Sequence, residues 1–290
     1  MSPLNRRNQI HLDLDEAWEP EPLGLERRDA RAWGPRLRCF ARRDALEAFV
    51  REAMEDLPPF VLYGSGDFHH LAAALLRKAR SSTVNVVSFD NHPDWDVRPP
   101  HWACGGWINR ALELPHVRRA SVWGCGNFEL DWPARWFGNR DRRLDVHAWE
   151  ERCSPAARAR FDCIARGDWR SRFETFAASL GGQDVYVTVD LDCLRREEAV
   201  TNWENGLFAA EDVAWAISCL RSRAEVVGGD VCGAYSLPRY ERPLQRFAAE
   251  WDRPESPPRE LARARAINVA SLETIWPALV SSPIPAPRPG

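Results

Sequence analysis

Short β-branched apolar runs alternate along the chain with longer stretches in which apolar residues recur every three or four positions. The first kind predicts strands over 10–14, 60–64, 84–89, 120–124, 144–149, 184–191 and 225–231. The second predicts amphipathic helices over 42–57, 69–80, 169–180 and 209–223. Several strand runs, FVLY at 60–63 among them, lack a polar face, as expected for strands covered on both sides. Strands alternating with helices predict an α/β fold with a mostly parallel central sheet. No Pro- or Gly-rich linker breaks the interior, so residues 1–280 read as a single domain. The tail SSPIPAPRPG at 281–290 has no periodicity and little to bury, and is expected to be mobile.

Composition narrows the function more than the fold. Over 290 residues the net charge is -3, which offers no basic surface to a nucleic-acid backbone, so no nucleic-acid partner is expected. No window approaches the ~20 apolar residues of a membrane span, and the N-terminus lacks the apolar core of a signal peptide. The eight cysteines are scattered and form no C-x-x-C pair, which fits a reducing compartment. These features together predict a soluble, cytoplasmic protein without a membrane partner.

In parallel sheets ligands bind beyond the carboxyl ends of the strands, so the residues that follow each apolar run carry the chemistry. After 84–89 comes SFDNHPDWD, in which Asp90, His92 and Asp94 sit two apart and project to one side of an extended backbone. Carboxylates packed this closely repel unless a cation compensates them, and an imidazole among oxygen donors suits a borderline divalent ion such as Mn²⁺. A second run ends in VTVDLDC, with Asp190 and Asp192 at the same spacing. A third turns through GSGDFHH into a helix, presenting His69 and His70. Each fragment alone could be a turn or a helix cap; together they place acids and imidazoles at three strand ends. By contrast, His11, Asp13 and Asp15 of IHLDLDEAW alternate with leucines inside their run and read as the polar face of an ordinary first strand.

SFDNHPDWD, VTVDLD and GSGDFHH, in this order, resemble the signature motifs of the ureohydrolase superfamily, the arginase and agmatinase group, over roughly residues 60–235. The resemblance implies that family's three-layer αβα fold and two Mn²⁺ ions per chain. It implies six metal ligands: Asp90 and Asp190 bridging, His69 and Asp94 completing one ion, His92 and Asp192 the other. Phe68 is one residue more than the family's turn has; His69 is preferred to His70 because one polar residue then separates it from Leu71. A hydroxide held between two such ions is a nucleophile at neutral pH, and the resemblance gives Asp94 a second role in holding its proton. Family members form trimers or hexamers, so a homo-oligomer is compatible with the resemblance.

Two family features are missing. Where the family has a proton-transferring His-Gly pair, HWACGGW carries Cys104-Gly105, with His101 three residues earlier as a substitute. Where it has the glutamate that reads a guanidinium, VCGAYSLP carries Gly233. Trp203 and Glu204, in a loop that differs from the family's, are candidates for lining the pocket and supplying charge from another direction. The expectation is a binuclear manganese hydrolase cleaving a C–N bond of a guanidino, amidine or amide substrate, small or peptide-borne. The alternatives are a single-metal deacetylase-like amidohydrolase and an inactive metal-binding scaffold.

Overall fold

The computed structural model describes residues 8–18, 21–79, 81–252 and 258–281; the tail from 282 onward lies outside them. Eight strands form one sheet: β1 Gln9–Asp13, β2 Arg27–Asp29, β3 Phe60–Tyr63, β4 Val84–Phe89, β5 Val117–Cys125, β6 Leu144–Ala148, β7 Asp184–Asp190 and β8 Glu225–Cys232. Their order is β2-β1-β3-β8-β7-β4-β5-β6, and every neighbouring pair is parallel. The helices are α1 Gly34–Leu37, α2 Arg43–Phe49, α3 Leu71–Leu76, α4 Trp107–Leu112, α5 Pro155–Arg158, α6 Trp169–Ser179, α7 Ala210–Arg221, α8 Pro243–Asp252 and α9 Leu261–Val280.

Helices cover both faces of the sheet, giving the three-layer αβα arrangement. Residues of α1 to α4, such as Leu46, Phe49, Leu75 and Ile108, pack with Val84 and Val86 on one face. Residues of α6, α7 and α9, such as Phe173, Ile217 and Trp276, pack with Val87 and Phe89 on the other. β4 thus sends alternate side chains into two cores, which is why its apolar residues form no single stripe. The chain lays down β3, then β4, and later inserts β7 and β8 between them. The carboxyl ends of β3, β8, β7 and β4 therefore lie side by side, although residues 60 and 232 are far apart in sequence.

The pattern did not predict β2 or the helices α1, α4, α5, α8 and α9. β2 is a three-residue, polar edge strand with no apolar alternation to reveal it. α9 is the longest miss, and its buried positions Ala264, Asn268, Ser271, Leu272, Ile275, Trp276 and Leu279 do follow helical spacing. Polar residues fill two of them, which mutes the apolar signal. Those residues have local work: the Asn268 side chain both accepts from the Val200 amide and donates to the Val200 carbonyl, each at 2.8 Å. Ser271 donates to the Glu198 carbonyl at 2.5 Å. α9 thereby ties down the loop that leads into Trp203 and Glu204. The expected helix over 42–57 is α2 continuing as a wider π-turn over Val50–Met54.

The polar side chains of β1 are buried rather than solvent-facing, because β2 and the segment leading to it cover them. His11 pairs with Glu21 and Asp13 with Arg27, so the cost of burying them is offset by partners. Trp276, fully buried, donates its indole N–H to Gln9 Oε1 at 2.7 Å and joins α9 to β1. Trp276→Ala should lower unfolding stability by about 3–5 kcal/mol, measured by urea denaturation; a loss under 1 kcal/mol would show that α9 is not part of the cooperative core.

Candidate metal centre

β4 and β7 pair directly, with Phe89 opposite Val189, so Asp90 and Asp190 leave the sheet edge as neighbours. Beyond them each chain turns sharply, and the turns aim the remaining acids inward. The amides of His92 and Asp192 donate to Asp90 Oδ1 and Asp190 Oδ1 at 2.7 and 3.0 Å, and the Asn91 amide donates to Asp192 Oδ1 at 3.1 Å. Each carboxylate is thus fixed by backbone on one oxygen, leaving the other for a ligand. Asp94 has a left-handed backbone, φ 46°, a conformation that aspartate tolerates better than most side chains. Trp107 holds it there by donating its indole N–H to Asp94 Oδ2 at 2.7 Å.

His69, at the end of the turn after β3, brings Nδ1 within 3.1 Å of Asp90, 3.0 Å of Asp94 and 3.7 Å of Asp190. His92 brings its Nδ1 within 2.8 Å of Asp192 and 3.6 Å of Asp90. Two groups of donor atoms result, His69–Asp90–Asp94 and Asp90–His92–Asp192, which share Asp90; a third joins His69, Asp190 and Cys232. All six residues named from the motifs therefore meet in one place. His70 does not join them: it is fully buried, burial pushes its imidazole down to about 3, and both ring nitrogens lack a hydrogen-bond partner.

The other nitrogen of His69 shows how the site is braced. His69 Nε2 lies 2.9 Å from Thr188 Oγ1, and Thr188 donates to Asp230 Oδ1 at 2.7 Å. Asp230 also accepts from Tyr63 at 3.0 Å and Tyr186 at 2.6 Å, so three hydroxyls surround this fully buried carboxyl. An outer partner of this kind sets which ring nitrogen faces a metal. On the other side buried Arg38 donates to Asp15 and Asp67 at 2.6 Å each, and Asp67 accepts from the Trp203 indole at 3.2 Å. Trp203 in turn packs edge-on against His92, with ring centroids 5.7 Å apart.

The charges are out of balance within the protein alone. Burial by itself would keep both imidazoles neutral, but Asp90 and Asp94 beside His69, and Asp192 and Asp90 beside His92, push both well above the usual histidine range. Burial pushes the Asp94 carboxyl up to about 7, with Asp90 adding to it, and raises Asp190 and Asp192 as well. Two buried atoms at the centre, His69 Nδ1 and Asp90 Oδ2, make no hydrogen bond although they lie 3.1 Å apart. Lone pairs that converge without aligning to each other are suited to a shared cation.

The cluster lies in a cavity of about 780 Å³ whose walls include Trp95, Cys104, Glu129, Trp203 and Glu204. Glu204 Oε2 is 3.5 Å from His92 Nε2; burial raises its carboxyl, yet His92 holds it below the usual carboxylate range. Cys104 lines the cavity too, but burial pushes its thiol well above the usual range, so it stays protonated at neutral pH. His101 is exposed and is absent from the cavity wall, although Pro100 and Ala103 beside it are part of that wall. Glu129 and Cys232 went unnoticed in the sequence. Both obey the rule that should have found them, since each lies at or just beyond the carboxyl end of a strand.

Gly233 sits directly behind the acids. Its φ is 103°, and a Cβ there would fall 2.2 Å from Asp190 Oδ1 and 2.4 Å from the Leu191 amide nitrogen. Gly66 opposite is under similar constraint, with its added Cβ 2.6 Å from Asp190 Oδ2. The missing glutamate at 233 is therefore not a vacant position that a substitution would refill.

No protein-family model matches the chain. An uncharacterized protein of Thermotoga maritima is 26% identical over 171 residues, 59% of this chain and 55% of that one, so the chain spans about half of this relative's length. Among solved structures, a Clostridium difficile protein provisionally designated an agmatinase superposes with a TM-score of 0.54 at 14% identity, over 94% of this chain and 97% of that one. A hypothetical agmatinase from Burkholderia thailandensis gives a TM-score of 0.47 at 18% identity, over 80% of this chain and 64% of its own. The class is thereby defined at the level of fold: an all-parallel eight-stranded αβα sheet of the arginase-like kind.

Gly233→Ala should destabilise the protein by about 1–3 kcal/mol through strain at a positive φ, and Gly233→Glu by at least as much. Thermal denaturation checks this; a Gly233→Glu protein as stable as wild type would show that position 233 does not press against Asp190 and Leu191.

Proposed function

We propose that the chain is a binuclear manganese-dependent hydrolase that cleaves a C–N bond in a guanidino, amidine or amide compound. The observation that carries this reading is the pair of donor groups sharing Asp90, His69–Asp90–Asp94 and Asp90–His92–Asp192. Four buried aspartates bring four negative charges once the imidazoles are neutral, and two divalent ions would balance them. Nitrogen and carboxylate donors together suit Mn²⁺ better than an all-oxygen cage does. His69, Asp94 and Asp90 would hold one ion, His92, Asp192 and Asp90 the other, with Asp190 between them.

When bound, such ions supply Lewis acidity and a water acidified enough to attack a planar carbon at neutral pH. The protein's own groups then divide the remaining work. Asp94 Oδ2 is tied to Trp107, whereas Oδ1 faces the cavity beside Gly105, where it can take up the water's proton and return it to the leaving nitrogen. Trp203, held by Asp67, forms a rigid wall beside His92. Glu204 places a carboxylate at the cavity that Gly233 does not supply. The Cys104 thiol, held protonated, is not a base in this scheme.

Metal counting after reconstitution should find two Mn²⁺ per chain in the wild type and none in Asp90→Ala. Thr188→Val, which leaves His69 Nε2 without its partner, should weaken Mn²⁺ binding by roughly 10–100-fold. A wild-type protein that takes up no Mn²⁺ sinks the proposal. With Mn²⁺ at 100 times its Kd the protein should gain about 2.7 kcal/mol of stability, lost again on chelation. A screen of guanidino, amidine and amide compounds for metal-dependent release of urea, ammonia or amine then tests the hydrolysis itself.

A further inference from the structure

The walls of the cavity away from the metal ligands combine further carboxyls with an apolar rim. Glu129, on the turn after β5, has Oε2 buried with no hydrogen-bond partner among the described residues. Its Oε1 and Asp94 Oδ1 both lie 4.0 Å from one point, the position a Cβ would take on Gly105, so the two carboxyls border the same space. The Glu129 amide donates to Asn127 Oδ1 at 3.3 Å, which holds the turn in place. Burial pushes the Glu129 carboxyl up to about 8, so it stands in the wall as an acid that a neighbouring cation would ionise, together with Glu204, which His92 holds below the usual carboxylate range despite its burial. Arg98, the arginine on the cavity wall, is paired with Asp96.

The outer wall has the opposite character. Phe128, Leu244 and Phe247 line the cavity and are 58%, 64% and 62% exposed, among seven large apolar side chains that face solvent in the described residues. Leu244 and Phe247 lie three apart on α8 and share a face, while Phe128 immediately precedes Glu129 in the chain. An apolar collar continuous with a charged pocket is a mark of an amphipathic ligand.

Resting on the hydrolase reading above, we propose that the substrate is a small cationic nitrogen compound whose head is read by Glu129 and whose body is an apolar group lying on the collar of Phe128, Leu244 and Phe247. Glu129 is thus a specificity-determining residue that reads the cation from the wall at Gly105, not from the Gly233 side.

Titration calorimetry on the Mn²⁺-loaded full chain, using 4-phenylbutylguanidine, agmatine and the neutral 4-phenylbutanol, tests this. Phenylbutylguanidine should bind at least roughly tenfold more tightly than agmatine, the gain from burying an aromatic ring. Glu129→Gln should weaken phenylbutylguanidine by roughly ten- to a hundredfold, the loss of a charge-assisted hydrogen bond, while leaving phenylbutanol unchanged, which also shows that the variant is folded. Leu244→Ser with Phe247→Ser should remove the preference over agmatine. Agmatine binding equally well, or no effect of Glu129→Gln on the cation, overturns the assignment. An arginine peptide with aromatic flanks binding more tightly than phenylbutylguanidine overturns it in favour of a peptide-borne head. Manganese content measured in the same samples separates the two ideas. A protein that holds Mn²⁺ without this preference loses only the substrate class; one that shows the preference without holding Mn²⁺ keeps the ligand class and loses the hydrolase reading.

Discussion

Four aspartates driven together at the edge of two adjacent parallel strands set the conditions for everything around them. In a buried site their repulsion costs several kcal/mol unless cations stand between them. Asp90 and Asp190 are brought out as neighbours by the ladder that pairs β4 with β7, and the backbone amides behind them fix one oxygen of each carboxylate. Asp90 Oδ2 and His69 Nδ1, which face each other at the centre, make no hydrogen bond among the described residues. Folding has therefore prepared a site whose unmet electrostatic demand is itself the functional signal.

The support behind the acids has a consistent logic. Three groups at the centre are each backed by one that fixes their orientation without adding charge toward the cavity. Thr188, with Asp230 and two tyrosines, backs His69; Trp107 backs Asp94; the Asn91 amide backs Asp192. Asp230 stands outside the cluster, its charge absorbed by three hydroxyls, and so acts as a brace. Arg38 plays the corresponding part on the far side, where Asp15 and Asp67 neutralise it and Asp67 steadies Trp203. The third wall carries Glu129, on a turn held by Asn127, next to the apolar side chains of Phe128, Leu244 and Phe247.

Much of the fold was legible in advance because parallel strands covered on both faces must be apolar and short. All seven strand runs read from the pattern correspond to strands, whereas β2, polar and three residues long, leaves no such mark. α9 was missed because Asn268 and Ser271 occupy its inner face, where they serve the backbone of the 198–200 loop instead of an apolar core. β1 shows the converse error. Its alternating polar residues suggest an exposed face, yet ion pairs with Glu21 and Arg27 let that face be buried.

The sequence by itself placed acids and imidazoles directly after the strand runs, so Asp90, His92, Asp94, Asp190 and Asp192 could be named from their spacing. What aims them inward is not an extended backbone but the turns after β4 and β7, with Asp94 at φ 46° and Asp192 in a 3-10 turn. Tertiary structure decided the rest, because the deciding contacts join residues far apart in the chain. His69 separates from His70 only because Thr188, 119 residues away, meets its Nε2. His101 falls outside the cavity while Glu129, from a different loop, falls inside it. Position 233 admits no side chain only because β8, inserted late between β3 and β7, sets its backbone against Asp190. Strand periodicity is a property of neighbours in sequence; close approach at a sheet edge depends on strand order and register, which no local stretch encodes.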